Sequence, residues 1–181
     1  MSWRASLLWF LLLVPVFNTL TVLLLPQAVN ALVMHRISSG RGSNTALPAP
    51  RADATARTVV RPSPDLLYTA CVFDLREGPL HITAPVPSGY LSVSGFAADT
   101  SNFFALNDSQ LLPDALGQKH IDLVLVADPA TPLPATVSAT TRRIVAPSRR
   151  GLVLFRLLIS DDATLPALQQ QFQSRQRCET L

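Results

Sequence analysis

The sequence is short of charge, and the shortage is uneven. Asp, Glu, Lys and Arg make up only 15% of its 181 residues, against the ~25% of an ordinary globular chain. Lys119 is the single lysine, and Glu77 and Glu179 are the only glutamates, so arginine and aspartate carry most of the charge. The net charge of +3 comes without a dense basic stripe or interleaved aromatics. That pattern excludes a nucleic-acid partner of the usual basic-patch kind. The two cysteines, Cys71 and Cys178, stand far apart with no CxxC or Cys/His spacing, which excludes the common zinc sites and implies no metal or other cofactor. No GxSxG or HExxH occurs either, so no recognisable nucleophile elbow or zinc-protease helix is present.

What the chain does contain begins with an apolar run. From Ala5 to Met34 there is no charged side chain. Its core, LLWFLLLVPVFNTLTVLLL, covers Leu7 to Leu25 and as a helix would span roughly 28 Å, close to the ~30 Å of a hydrocarbon core. One reading is a cleaved signal peptide, with MSWR as its positive start and Val29–Ala31 as the cleavage site. The other is an uncleaved anchor over residues 1–36. A signal core is typically about 7–15 residues, so the length favours the anchor, with residues 7–25 in the lipid bilayer. Pro15 would kink such a helix, which membranes tolerate. Asn18, Thr19 and Thr21 are mildly polar and read as a spacer face. Arg4 precedes the run, while Arg36, Arg41 and Arg51 follow it. Charge bias alone leans toward a cytoplasmic C-terminal part, but large domains translocate largely regardless of charge. The expectation is export: a single pass through the cytoplasmic membrane, with the remaining chain outside it.

Ser38 to Ala56 is small, polar and Gly/Pro-containing, so residues 37–57 read as a flexible linker. The domain, 58–181, is then expected to start near Thr58. LLYTACVFD (Leu66–Asp74), PLHITAPV, GYLSVSGFA, SNFFALND and IDLVLVAD carry the alternation or β-rich composition of strands. TVSA and RRIVAP read as short strands, and GLVLFRLLI (Gly151–Ile159) as the strongest. Ser160 can cap a helix, and Leu165, Leu168 and Phe172 recur at helical spacing, predicting one amphipathic helix from Asp161 to about Arg175. The fold class is mainly β, a sandwich-like or open-barrel antiparallel domain with one N-terminal transmembrane helix and one C-terminal amphipathic helix.

Candidate chemistry is sparse. In an exported domain, Cys71 and Cys178 read as a disulfide, and otherwise as one buried thiol and one on a frayed tail. His35, His81 and His120 read as surface residues. Asp65, Asp74, Asp99, Asp108, Asp122 and Asp128 fall at strand ends or turns, where aspartate caps backbone N–H groups. Arg156, inside LFRLL, needs a partner if buried, and Asp65 or Asp74 is expected to pair with it. Arg142, Arg143, Arg149 and Arg150 read as two solvated turns or as a contact for an anionic surface.

The positions Pro64, Asp65, Leu67, Tyr68, Asp74, Leu75, Gly78, Pro79, Pro85, Tyr90, Ser92, Asn102 and Phe103 together resemble the pattern of the bacterial domain-of-unknown-function family 1254. Thr69 stands where that family often has Ser. The likeness extends from about Thr58 to Cys178. It implies a β-sandwich-like domain, in its short form on one membrane anchor, placing the domain in the bacterial periplasm. It also implies a companion envelope protein carrying the sister domain, family 1214. It brings no catalytic residues. The function expected is a binding or assembly module at the cell envelope; the alternative is an envelope enzyme acting on a glycan or similar polymer through aspartates, with Tyr68 or Tyr90 assisting.

Overall fold

A computed structural model describes residues 2–56, 61–114, 116–138 and 140–181. Its first element, α1, runs over Trp3–Ser38, 36 residues, or roughly 54 Å at 1.5 Å per residue. The helix is apolar all round, and its side chains face open space: Leu8 is 69% and Val22 64% exposed. Such a surface is costly in water and suits lipid, so α1 is a candidate membrane span or signal. Pro15 and Pro26 lie inside it, each withholding one N–H from the helical ladder. The Thr21 hydroxyl donates to Phe17 O at 2.8 Å and is therefore satisfied within the helix. Beyond the predicted span α1 continues onto the rest of the molecule. Asn30 Nδ2 donates to Ala97 O and Ala98 O at 3.1 and 3.0 Å, and Met34 is buried.

Nine strands follow among the described residues: β1 (Leu47–Pro48), β2 (Leu66–Asp74), β3 (Leu80–Pro85), β4 (Leu91–Ala97), β5 (Asn102–Asn107), β6 (His120–Val126), β7 (Arg142–Val145), β8 (Arg150–Leu158) and β9 (Arg177–Thr180). They form one sheet in the order β1-β2-β8-β4-β5 and a second in the order β7-β6-β3-β9. Every pairing is antiparallel except β6 with β7. The alternation in the sequence sets which side chains meet. On β8, Val153, Phe155 and Leu157 are buried, while Leu152, Leu154 and Arg156 are half-buried on the outer face. The inner residues of β2 and β8 face Leu80, Ile82, Leu123 and Leu125 of the second sheet in one core. Each such side chain contributes about 1.5–3 kcal/mol through burial. Gly95 marks a close approach: a Cβ there would lie 2.1 Å from the Phe104 ring, beside a register shift in the β4–β5 pairing.

Several expectations are corrected. Of the segment 37–57, expected as a linker, the described part supplies the last two residues of α1, the edge strand β1, and the buried Asn44 and Ala52. Short polar stretches carry no alternation, but here the backbone pairs along β2 regardless. The expected domain start, Thr58, lies outside the described residues. TVSA is not a strand over 136–138, and Ala139 lies outside the described residues. The predicted C-terminal helix is broken into a 3-10 turn (Asp162–Thr164), α2 (Leu165–Gln171) and a second 3-10 turn (Gln173–Arg175). Asp161, rather than Ser160, caps it, accepting from Ala163 N at 2.9 Å. The helix stops because Gln173 turns inward: its amide donates to Ala49 O and Tyr68 O at 2.8 and 3.1 Å.

The two sheets are sewn together. Cys71 on β2 and Cys178 on β9 form a disulfide with Cα atoms 6.5 Å apart, both buried in the core. Beside it, Asn44 adopts φ 58°, a left-handed conformation that asparagine tolerates. Its side chain accepts from Asp74 N at 2.7 Å and donates to Asp74 O, Glu77 Oε2 and Thr180 Oγ1 at 3.0, 3.1 and 2.9 Å. The Asp74 carboxylate in turn accepts three hydrogen bonds from the Arg76 guanidinium and lies 3.5 Å from Arg150 Nε. The Arg76 hydrogen bonds hold its pKa below the usual carboxylate range, against the effect of burial, with Arg150 helping.

Three outcomes are expected. Reducing the disulfide, or replacing both cysteines with alanine, removes about 2–5 kcal/mol, read as a fall in the denaturant midpoint. Asn44→Ala leaves the buried Asp74 N–H unpaired and costs roughly 1–3 kcal/mol, whereas a surface control such as Ser88→Ala is neutral. Because the Asp74 pKa is lower folded than unfolded, its contribution is complete above about pH 4 and is lost as pH falls through the folded value. The melting temperature therefore drops on acidification, and Arg76→Ala flattens that dependence.

Candidate functional site

One cleft lies at the end of the sandwich where β3 finishes and β6 begins. It has a volume of about 620 Å³. The β3–β4 turn at Pro85–Ser88 forms one wall, and Gln171, Phe172 and Arg175 at the end of α2 form another. Lys119 and His120 form the floor between them. Their placement follows from the local chain. Lys119 Nζ donates to Asp108 O at 2.7 Å, tying the start of β6 to the turn after β5. The Asp114 carboxylate accepts from Leu116 N and Gln118 N, both at 2.8 Å, and so shapes the loop that delivers Lys119. His120 Nε2 lies 3.4 Å from Asp114 Oδ2. The Gln118 N–H foremost, then the Leu116 N–H and His120, hold the Asp114 pKa below its ordinary value. A second cavity of about 610 Å³ lies on the other side of His120 and is lined by Gln110, Leu112, Asp122 and Arg142 among others. Lys119 and Arg175 bring positive charge to the first cleft, which Asp108 also lines.

Nearby, Asp122 accepts from Thr141 Oγ1 at 2.8 Å and lies 2.8 Å from His81 Nε2. The set resembles a catalytic triad in composition only. In a triad the hydroxyl meets the imidazole and the carboxylate orients it; here the hydroxyl is spent on the carboxylate. The other aspartates do what strand-end aspartates do. Asp99 accepts from Ser101 N and Oγ, and Asp128 from Ala130 N. The Tyr68 hydroxyl accepts from Ser63 N at 3.0 Å, and Tyr90 is exposed. Among the described residues no group of three or more His, Cys, Asp or Glu could hold a metal ion.

The expected ion pair is corrected. Arg156 donates to Ser94 Oγ at 2.9 Å, not to Asp65 or Asp74. Strand register decides this: Arg156 stands opposite Tyr68 and Ser92, near the end of β8 remote from Asp74, whose opposite number is Arg150. Arg156 is half-buried on the outer face of its sheet, and its Nε is buried without a hydrogen-bond partner. The four arginines do not form one patch. Arg142 lines the second cavity, and Arg143 Nη1 donates to Pro129 O at 2.6 Å. Arg149 and Arg150 lie beyond the other end of β7, roughly 10 Å away along the strand.

Sequence reasoning missed the Lys119/His120/Arg175 cleft, because its walls come from three segments separated by more than a sandwich edge. The one available signal was Lys119, the only lysine in the chain.

The likeness to known proteins agrees with this architecture and adds no chemistry. A crystal structure of a protein from Vibrio parahaemolyticus superposes with a TM-score of 0.62 over 86% of this chain and 35% of its own, at 14% identity. One of an uncharacterised protein from Burkholderia cenocepacia gives 0.50 over 76% and 34%, at 16% identity. At such identity the likeness concerns the fold alone, and the chain spans about a third of the length of either structure. No curated protein matches it. The family model described as protein of unknown function (DUF1254) matches residues 43–180, starting at the residue before the Asn44 seam, and the chain belongs to that family.

Proposed function

We propose that this protein is a binding or assembly module held at the bacterial inner membrane by α1, with its β-domain in the periplasm. The observation that carries this is the conjunction of a membrane-length apolar helix with a buried disulfide in the domain that follows it. Disulfides persist in oxidising compartments and are rare in the cytosol. Residues 7–25 meet the lipid. The cleft around Lys119 and His120 then serves as the recognition site for a ligand or partner bearing acidic groups. It opens at the start of β4, whereas α1 holds the turn after the end of β4, so the strand length of roughly 20 Å separates cleft from anchor.

A glycan-cleaving enzyme would need one carboxyl kept protonated near neutral pH beside a second that stays ionised. Every carboxylate with a displaced pKa among the described residues, Asp53, Asp74, Asp99 and Asp114, is displaced downward by hydrogen bonds. These hydrogen bonds engage the four carboxylates in turns and an arginine pair, which supports the binding reading. A companion fits the same picture. The companion we propose is a second envelope protein that carries the family-1214 sister domain.

Ser88→Cys, at the lip of the cleft, tests the placement, because the native cysteines are already paired. A membrane-impermeant maleimide is expected to label it on intact spheroplasts. Labelling only after lysis would place the domain in the cytoplasm and end the proposal. Gentle extraction from the membrane is expected to yield a complex containing the sister-domain protein, and a lone chain would remove the companion from the scheme.

A further inference from the structure

The contact between Asn30 and the turn after β4 fixes how far the domain can stand from the bilayer. The apolar run ends at Leu25, and Asn30 follows roughly 7–8 Å further along the helix axis. The polar headgroup layer adds roughly 5–7 Å to each side of the hydrocarbon core. The contact thus brings the turn after β4 to about the depth of the lipid phosphates. A chain of hydrogen bonds shows which surface is presented there. Asn30 holds Ala97 O and Ala98 O, Ala98 N donates to Ser148 Oγ at 3.0 Å, and Ser148 Oγ donates to Arg150 O at 2.7 Å. Arg149, inside that last link, is exposed. Arg150 shares Asp74 with Arg76 and remains partly exposed. On the same face Asp99 is exposed but carries two hydrogen bonds from Ser101, and Arg36 projects from the exposed side of α1.

We infer that the turn Ser148–Arg150 is a lipid-binding site, in which Arg149 contacts the phosphate of anionic phospholipid headgroups and, with Asn30, fixes the domain against the membrane. This rests on the anchoring of α1 proposed above. The guanidinium suits it, since its planar fork matches phosphate oxygens. The site explains why Arg149 and Arg150 lie apart from Arg142 and Arg143: the first pair faces the bilayer, and the second lies toward the cleft end.

The test uses the full chain in vesicles of phosphatidylglycerol and phosphatidylcholine, with one spin label at a time on Leu13→Cys, Thr100→Cys or Ser88→Cys. Collision with oxygen and with a water-soluble nickel chelate reports depth. The Leu13 label is expected in hydrocarbon, the Ser88 label in water, and the Thr100 label at headgroup depth. Arg149→Gln, or replacement of phosphatidylglycerol by phosphatidylcholine, is expected to shift the bound-to-free ratio of the Thr100 site about fivefold toward water, the equivalent of ~1 kcal/mol per arginine near an anionic surface. A Thr100 label as wet as Ser88 while Leu13 stays protected overturns the docked face and leaves the anchor standing. A wet Leu13 label overturns the anchor itself. A Thr100 label at headgroup depth that ignores both Arg149→Gln and lipid charge overturns the anionic phosphate as the partner.

Discussion

The seam between β2 and β9 is the constraint on which the rest of the structure depends. β9 is four residues long and lies on the rim of its sheet, and β1 is shorter still. Neither has the length or the apolar alternation to hold its place alone. The Cys71–Cys178 bond ties β9 across the core to β2. Asn44 ties the chain entering β1 to the end of β2 and to Thr180 with one side chain. With both in place the sandwich is closed at one end, α1 has a fixed exit, and the opposite end is left free to carry the cleft.

Much of this was legible in the residues, and the reasons for the failures are physical. β2, β4, β6 and β8 pair within their sheets and bury whole faces, so their composition announced them to within a residue or two. β1 and β9 are specified by long-range partners, a disulfide and an asparagine hub, which leave no periodic trace. The C-terminal helix was correct in place and wrong in continuity, because helical spacing of Leu165, Leu168 and Phe172 says nothing about Gln173 turning in to bond two carbonyls. Arg156 misled through the opposite effect: an apolar neighbourhood in sequence suggested deep burial, yet its alternation put it on the outer face. The resemblance motif was read as a marker of fold, and three of its residues have evident structural roles. Asp74 is saturated by arginines, the Tyr68 hydroxyl secures the turn into β2, and Gly78, at φ 138°, leaves room beside Thr180.

The candidate site was the least legible part. No motif marks the cleft; it arises because the β3–β4 turn, the loop into β6 and the end of α2 converge at one end of the sandwich. Asp114 and Asp108 O position Lys119 and His120 in its floor without belonging to any local signature. A site assembled in this way can change its ligand through loop substitutions while the core stays constant.

The pairing of Cys71 with Cys178 also has a temporal meaning. The two stand 107 positions apart, and β2, the first long strand, takes its partner β8 from the far side of β3 to β7. No early stretch of the domain is self-sufficient; its first strand waits for its last ones. Such topology folds slowly, because distant segments must meet before any of them is repaid in contacts. During that wait the hydrophobic faces of β2 and β4 stand uncovered, so a chain of this kind depends on being kept apart from its neighbours until its two ends have met.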